Sequence, residues 1–354
     1  MRLLIVTNDF PPKPGGIQQY LGNLVDAYSD PVHIVGPHDP AAEPDTSVTR
    51  GTRRYMLPTR STRALVAGTI REFEPDAVLF GAPHPLAALG PSLRDEFNLP
   101  FGVLAHGAEV TIPSAIPGCR QWLGRVLRAA DVCFAVSRYT AERVTRISRS
   151  EVTRVGAGVD VGAFKPPEWT RANPKPVIGC VGRFVPRKGH ERLLEAVAMM
   201  DRDVQVLMVG KGRLESRIRE RANKLGVDAR FEIDVPWSDL GDLYRSMDIF
   251  AMPCKSRWGG LEVEGLGLVF LEASATGIPV VAGDSGGSPE TVRVGETGFV
   301  ATEPAEVARH LTTLVDDPDL AAAMGAAGRE FVVSEFTWNR VVERFVAGFA
   351  PHLR

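Results

Sequence analysis

Two glutamates, Glu264 and Glu272, flank the small apolar step Gly265-Leu266-Gly267-Leu268 in the stretch GLEVEGLGLVFLEASATGIPVVAGDSGG, residues 260–287. A core helix needs neither two carboxylates nor two glycines where it begins. The pattern predicts a helix that starts near Gly267 and runs until Gly277 and Pro279 stop it. Glycines at a helix start expose N–H groups, and the positive end of the helix dipole suits a diphosphate. Glu272, about a turn inside, suits two hydrogen bonds from a ribose, and Glu264 in the approach loop suits a second hydroxylated ring. Ribose, diphosphate and hexose are the parts of a nucleotide sugar. In the plainer alternative, one glutamate is exposed and the other caps the helix.

Two cations stand at a second site. Arg183 and Lys188 are five apart in GRFVPRKG (182–189), a glycine- and proline-containing loop that follows a predicted strand. Fixed there, they suit a diphosphate whose charge grows as it leaves; a surface loop with incidental charges is the alternative. His106 lies in LAHGAEV at the carboxyl end of a strand, where ligands bind in open α/β sheets, although a lone histidine is more often structural. In TNDFPPKPGGIQQ (7–19) a glycine pair precedes a helix. These glycines serve either an anion or sugar contact or only a tight turn, and they form no G-x-G-x-x-G dinucleotide fingerprint.

Other chemistries fit less well. Glycoside hydrolysis between two carboxylates would use Glu264 and Glu272 but leave the helix-start glycines and the cation pair idle. The aspartate pairs in DRD (201–203) and DPD (317–319) read as turns and caps, so no essential metal is expected. Cys119, Cys133, Cys180 and Cys254 have neither metal nor disulfide spacing and suit a reducing cytoplasm.

The elements that must position these groups alternate. Apolar runs at 3–7, 32–36, 77–81, 101–107 and 132–137 are separated by helical patterns, which predicts buried parallel strands. The series restarts at 175–183 and continues at 204–212, 248–253, 278–283 and 298–301. A Pro- and Gly-rich stretch, 158–176, reads as a hinge. The 354 residues fit two domains. We expect an α/β chain of two doubly wound Rossmann-like domains facing across a cleft, 1–165 and 166–335, with a terminal helix over 336–354 packing back on the first. With 44% hydrophobic and 24% charged residues the chain is globular, and its net charge of −2 gives no basic field for nucleic acid. The opening MRLLIVTNDFPP offers an apolar run too short for a signal-peptide core, and no run reaches the roughly 18 residues of a membrane span.

EGLGLVFLE, with its E-x7-E spacing, resembles the signature of the family 4 retaining glycosyltransferases of GT-B fold. NDFPPKPGGIQQYL, GRFVPRKG, MVGKGRLES, DIFAMP and SGGSPETV extend the resemblance over nearly the whole chain. It is similar to the actinobacterial GDP-mannose-dependent phosphatidylinositol-mannoside mannosyltransferases. The resemblance implies that Arg183 and Lys188 hold the donor diphosphate and stabilise departing GDP, with Glu264 on the transferred sugar, Glu272 on the ribose and His106 near the reacting carbon. It implies donor contacts at Gly16, Gly267, Leu268 and Val269, backbone contact with the base around Val235, and acceptor contacts at Asp9 and Gln18. FEIDVPW departs from the pattern, with Asp234 where a small glycine-containing turn is expected.

Retention without an evident carboxylate nucleophile suggests front-face substitution, in which the leaving phosphate takes the acceptor hydroxyl's proton. The implied donor is GDP-mannose, with no tightly bound cofactor, and the implied acceptor is a glycolipid. Another nucleotide sugar with a soluble acceptor, or a catalytically silent nucleotide-sugar-binding regulator, remain as alternatives. Residues 117–154 carry Arg120, Arg125, Arg128, Arg138, Arg143, Arg146, Arg149 and Arg154 against few acids, with Trp122, Leu123, Val126 and Leu127 making part of the stretch an amphipathic basic helix. That helix is either a solvated face packed on its own domain or a surface for anionic lipid, which would place a cytoplasmic protein peripherally on the inner face of the membrane.

Overall fold

The computed structural model describes residues 1–13, 15–168 and 175–353. In chain order the first elements are β1 (Leu3–Val6), α1 (Gly16–Ala27), β2 (Val32–Gly36), β3 (Val48–Arg50), α2 (Arg60–Phe73), β4 (Ala77–Phe80), α3 (Gly90–Phe97), β5 (Phe101–Ala105), α4 (Ala108–Ser114), α5 (Pro117–Ala129), β6 (Val132–Ala135), α6 (Arg138–Ser148) and β7 (Val152–Arg154). Their seven strands form a wholly parallel sheet in the order β3-β2-β1-β4-β5-β6-β7. The order turns back at β1, the switch point of a doubly wound fold. Central strands such as LLIV and AVLF are buried at every position, because helices cover both faces.

The second series comprises β8 (Val177–Val181), α7 (His190–Ala198), β9 (Gln205–Val209), α8 (Glu215–Leu225), β10 (Ala229–Glu232), α9 (Trp237–Arg245), β11 (Ile249–Met252), α10 (Leu268–Ala275), β12 (Val280–Gly283), β13 (Gly298–Ala301), α11 (Pro304–Asp316) and α12 (Pro318–Glu335). Its sheet, also parallel, runs β10-β9-β8-β11-β12-β13 and switches at β8.

The chain divides into two compact units, Met1–Gly158 with Trp338–Arg354, and Val159–Thr337. The division falls before the 165/166 boundary read from the sequence, because Phe164 packs edge-on to Trp237 and Tyr244 of the second unit at 5.4 and 5.5 Å. Of the hinge stretch 158–176, residues 169–174 lie outside the described residues. The last long helix, α13 (Trp338–Phe349), belongs to the first unit. Phe345 and Phe349, fully buried, meet Phe134 of β6 at 4.5 and 5.2 Å, and Trp338 meets Tyr20 of α1 at 5.2 Å. Burying each such ring is worth about 2–3 kcal/mol. Gly158 permits the contact, since a Cβ there would lie 2.4 Å from the Trp338 ring.

Three short strands escape a reading by apolar runs. β3 and β7 are both the tripeptide Val-Thr-Arg, and β10 is the edge strand Ala-Arg-Phe-Glu. Each has too few apolar residues to register as a run, and pairing with a neighbour defines it.

Candidate active site

In the second unit the site groups onto the loops that leave β8, β11 and β12. The loop after β8 is clipped on two sides. The Phe184 N–H donates to the Lys211 carbonyl (2.9 Å) beyond β9, and the Lys255 N–H beyond β11 donates to the Arg187 carbonyl (2.8 Å). A short 3-10 turn, Pro186–Lys188, ends at Gly189, whose left-handed φ of 77° and close approach to the Pro253 carbonyl admit no side chain. The clips press Lys188 inward, to 7% exposure.

Its partner is Glu264. Lys188 Nζ lies 3.0 Å from Glu264 Oε2, and Arg187 Nε lies 3.5 Å from the same oxygen. Burial pushes the Glu264 carboxyl up, but the charges of Lys188 and Arg187 outweigh it and hold the group below its ordinary value, with a smaller contribution from Arg183. The backbone on either side of Glu264 is fixed by the loop after β12. Its N–H donates to Ser285 Oγ (3.2 Å), and its carbonyl accepts from the Gly287 N–H (2.9 Å). Ser288 ties that loop together, its Oγ accepting from the Ser285 N–H at 3.1 Å and facing the Gly283 and Ser285 carbonyls at 2.5 and 2.8 Å.

Helix α10 follows directly. Gly267 at its N-cap has φ 90°, no side chain caps it, and no acid lies in its first turn. Leu268 and Val269 stand half-exposed at this start. The helix N-terminus therefore keeps its positive end for an anion. Glu272 is buried (5% exposed) one turn further on. It accepts a 2.8 Å hydrogen bond from Tyr244 Oη, whose other near neighbour is the Val269 carbonyl at 3.2 Å. Burial raises Glu272 to about 7 against the smaller opposing pulls of Tyr244 and Lys188. The two glutamates are thus pushed apart, one held ionised and the other poised near neutrality.

Arg183 is exposed at the start of the loop, and Arg187 rather than Arg183 is the cation beside Lys188 at the buried carboxylate. Sequence reading missed Arg187; its adjacency to Lys188 in PRKG was the available signal. His190 was missed as well. It is 2% exposed, neither ring nitrogen has a partner, and its ring packs edge-on to Phe184 at 4.9 Å. Burial, then the Lys188 charge, lower it to about 3, so it stays neutral. Val235 is half-buried after β10, and Asp234 before it takes φ 53° and pairs with Lys211. The glycine-like turn is therefore formed with an aspartate, a residue that tolerates the left-handed region.

The first unit gathers a second group. Gln18 Nε2 donates to Asp9 Oδ1 at 2.6 Å, and Lys13 Nζ lies 3.4 Å from the same oxygen. A Cβ on Gly15 would lie 2.1 Å from Gln18 Oε1, whereas one on Gly16 would meet nothing within 4 Å. His106 Nε2 lies 3.1 Å from the Gly81 carbonyl. A carbonyl only accepts, so Nε2 carries the proton and Nδ1 keeps its lone pair. Glu109 accepts from the His106 and Gly107 N–H groups, and Tyr20 meets the imidazole edge-on at 5.2 Å. Burial depresses the His106 pKa, with Glu109 and Asp9 pulling the other way. Asp317 of DPD accepts from the Leu320 N–H as the cap of α12, and Asp203 of DRD lies 3.2 Å from Lys175 Nζ. Among the described residues no group of three or more metal-ligating side chains is gathered.

Two doubly wound parallel sheets in one chain are the architecture of the GT-B glycosyltransferases. Residues 14–162 match Glycosyltransferase Family 4 and residues 163–331 match Glycosyl transferases group 1. The chain belongs to this family. It is 40% identical to the GDP-mannose-dependent monoacylated alpha-(1-6)-phosphatidylinositol monomannoside mannosyltransferase of Corynebacterium glutamicum, covering 97% of this chain and 96% of that one. It is 38% identical to the GDP-mannose-dependent alpha-(1-6)-phosphatidylinositol monomannoside mannosyltransferase of Mycolicibacterium smegmatis, over 95% of each. Among solved structures its fold matches Anabaena Alr3699/HepE in complex with UDP, with a TM-score of 0.82 at 18% identity over 99% of this chain and all of that one.

Proposed function

We propose that this chain is a retaining mannosyltransferase that moves mannose from GDP-mannose to a phosphatidylinositol mannoside. The observation that carries the substrate choice is the near-full-length identity of 36–40% to mannosyltransferases described as acting on that acceptor class. The chemistry rests on Lys188, Arg187 and Glu264, which stand together ahead of the α10 N-terminus. The diphosphate lies against that helix start, where the N–H groups of Leu268 and Val269 and the charges of Lys188 and Arg183 stabilise the departing GDP. Glu272 holds the ribose, Glu264 the mannose, and backbone around Val235 the base. Gly16 contacts the donor from the first unit, Asp9 and Gln18 receive the acceptor, and His106 lies near the reacting carbon. The leaving phosphate accepts the acceptor hydroxyl's proton in a front-face displacement.

A lipid acceptor brings a membrane into the reading. No described helix is long and apolar enough to cross one. A groove of about 670 Å³ along α5 and the end of α6 is instead lined by Arg120, Arg125, Arg128, Arg146 and Arg149 and by no acidic residue. Contact with the anionic inner leaflet through this face is part of the proposal.

Purified protein is assayed for mannose transfer from GDP-mannose, beside UDP-glucose and GDP-glucose, onto the lipid acceptor. Transfer from GDP-mannose alone is expected, with Arg183→Ala and Lys188→Ala each lowering turnover on the order of 10²–10³-fold. Near-full rates in both folded variants, or a preference for another donor, would overturn the assignment.

A further inference from the structure

Trp258 lies six residues before Glu264 and is 65% exposed. Exposed apolar side chains are ordinary, but this one is held in an unusual way. The Arg257 N–H donates to the Glu262 carbonyl at 2.9 Å, and the Glu262 and Gly260 N–H groups return to the Arg257 carbonyl at 3.3 and 3.0 Å. Inside this closed turn Trp258, Gly259 and Gly260 take φ values of 51°, 65° and 89°. Glycine enters the left-handed region freely, but a bulky side chain there is strained and persists only where its surroundings impose it, most often at ligand sites.

The surroundings are also specific. The Arg257 guanidinium stands over the Trp258 ring, 4.6 Å from its centre. Arg257 is itself held by Glu262 at 2.6 Å. Glu262 lies 4.0 Å from Arg187, which lies 3.5 Å from Glu264. A chain of charges thus fixes the indole and ties it to the carboxylate assigned to the sugar.

We propose that Trp258 is a stacking platform for a pyranose ring, whose apolar C–H face lies on the indole. The inference rests on the glycosyl-transfer reading of the site and adds a sugar-recognition residue to it. A nucleobase, the other flat partner, does not fit the topology. The base is assigned to the end of β10, and β9 and β8 stand between β10 and β11 in the sheet. The stacked ring belongs either to the transferred hexose or to a sugar of the acceptor.

Trp258→Ala and Trp258→Phe are compared with the wild type for GDP affinity, melting temperature, and KM for donor and acceptor. The alanine variant should raise one of the two KM values about tenfold or more, as truncating an aromatic anchor does, with GDP affinity and melting unchanged and most of the loss restored by phenylalanine. A rise confined to the acceptor KM assigns the ring to the acceptor, and a rise confined to the donor KM assigns it to the transferred hexose. KM values within about twofold of an active wild type would sink the platform alone. So would a parallel fall in GDP affinity, because Trp258 would then be supporting the Glu264 loop. A wild-type protein that transfers nothing from GDP-mannose would sink the functional reading, and the platform with it.

Discussion

Lys188 Nζ and Glu264 Oε2 lie 3.0 Å apart with side chains only 8% and 10% exposed. Neither charge is tolerable there alone, since an unpaired ion in so dry a place costs several kcal/mol. The pair is therefore a constraint on both partners, and in the proposed reaction a diphosphate would meet a cation that the protein has already ordered.

Removing one partner should be worse than removing both. Lys188→Ala removes the nearest cation from the buried Glu264, leaving Arg187 at 3.5 Å and the weaker influence of Arg183, and a loss on the order of 3 kcal/mol is expected by denaturant unfolding. Adding Glu264→Gln should recover much of that stability while activity stays lost. Equal stability of the single and double variants would show that the buried charge is not what destabilises the protein.

The same pair sets an acid limit. Glu264 is depressed in the folded state, so its contribution is present above the ordinary glutamate value of 4.5 and disappears as pH falls through the folded value. Stability measured from pH 6 downwards should fall less steeply in Glu264→Gln than in the wild type below about pH 4.5. Parallel slopes would contradict the ion pair.

Glu272 behaves in the opposite sense. Its folded value of about 7 exceeds the ordinary 4.5, so the stability it lends is complete below 4.5 and is lost as pH rises towards 7. A shift of that size corresponds to about 3 kcal/mol. Glu272→Gln should therefore be more stable than the wild type at pH 8 and no more stable at pH 4. The ionised carboxylate is also the stronger acceptor for ribose hydroxyls, so GDP-mannose affinity by calorimetry should rise between pH 6 and pH 8 in the wild type and stay level in the glutamine variant. Tyr244→Phe removes the hydrogen bond that favours ionisation and should move that rise to higher pH. Identical profiles in all three proteins would exclude Glu272 from the ribose site.

Much of this was legible in the sequence for a simple reason. Strands such as LLIV and VIGCV are buried on both faces and so consist of unbroken apolar runs. Glycines at forced positions, among them Gly189 and Gly267, announce the loops that carry Lys188 and Glu264. What stayed hidden depends on partners distant in the chain. Nothing in the types of Glu264 and Glu272 says that one is held ionised and the other raised, since that depends on the charges of Lys188 and Arg187 beside the first and on the burial of the second. Nothing in PRKG says which cation turns inward, and nothing near Glu264 names Ser285, twenty-one residues on, as its support.

That support yields a backbone prediction. Gly286 has φ 60°, and a Cβ there would lie 2.0 Å from the Glu264 carbonyl oxygen. The obstacle is backbone, so it cannot be relieved by a rotamer change. Gly286→Ala should destabilise the protein by about 1–3 kcal/mol and lower turnover by displacing Glu264, although residue 286 is not among the proposed substrate contacts. Wild-type kinetics in this variant would mean that the loop after β12 does not set the position of Glu264.

The arginine groove along α5 carries the remaining prediction. Arg120, Arg125, Arg128, Arg146 and Arg149 line it together, and none has a carboxylate partner among the described residues. Gly124 forms part of its wall, where a Cβ would lie 3.0 Å from the Ile147 carbonyl oxygen, so α5 and α6 approach closely and bring their arginines to one groove. Like charges so gathered repel, and a polyanionic surface relieves the repulsion. On the same stretch of chain Ile112, Ile116 and Trp122 are 50%, 56% and 37% exposed, which provides apolar groups to enter the interface beside the cations. Each cation near an anionic surface contributes about 1 kcal/mol. Reversing three of them, as Arg125→Glu, Arg128→Glu and Arg146→Glu, should therefore lower sedimentation with phosphatidylinositol-containing vesicles by 100-fold or more, roughly. In the wild type, high salt should produce the same loss. Ile112→Ser with Ile116→Ser should weaken binding while leaving its salt dependence intact, which separates apolar insertion from charge. Equal binding of the wild type to neutral and anionic vesicles would exclude this face as the contact with lipid.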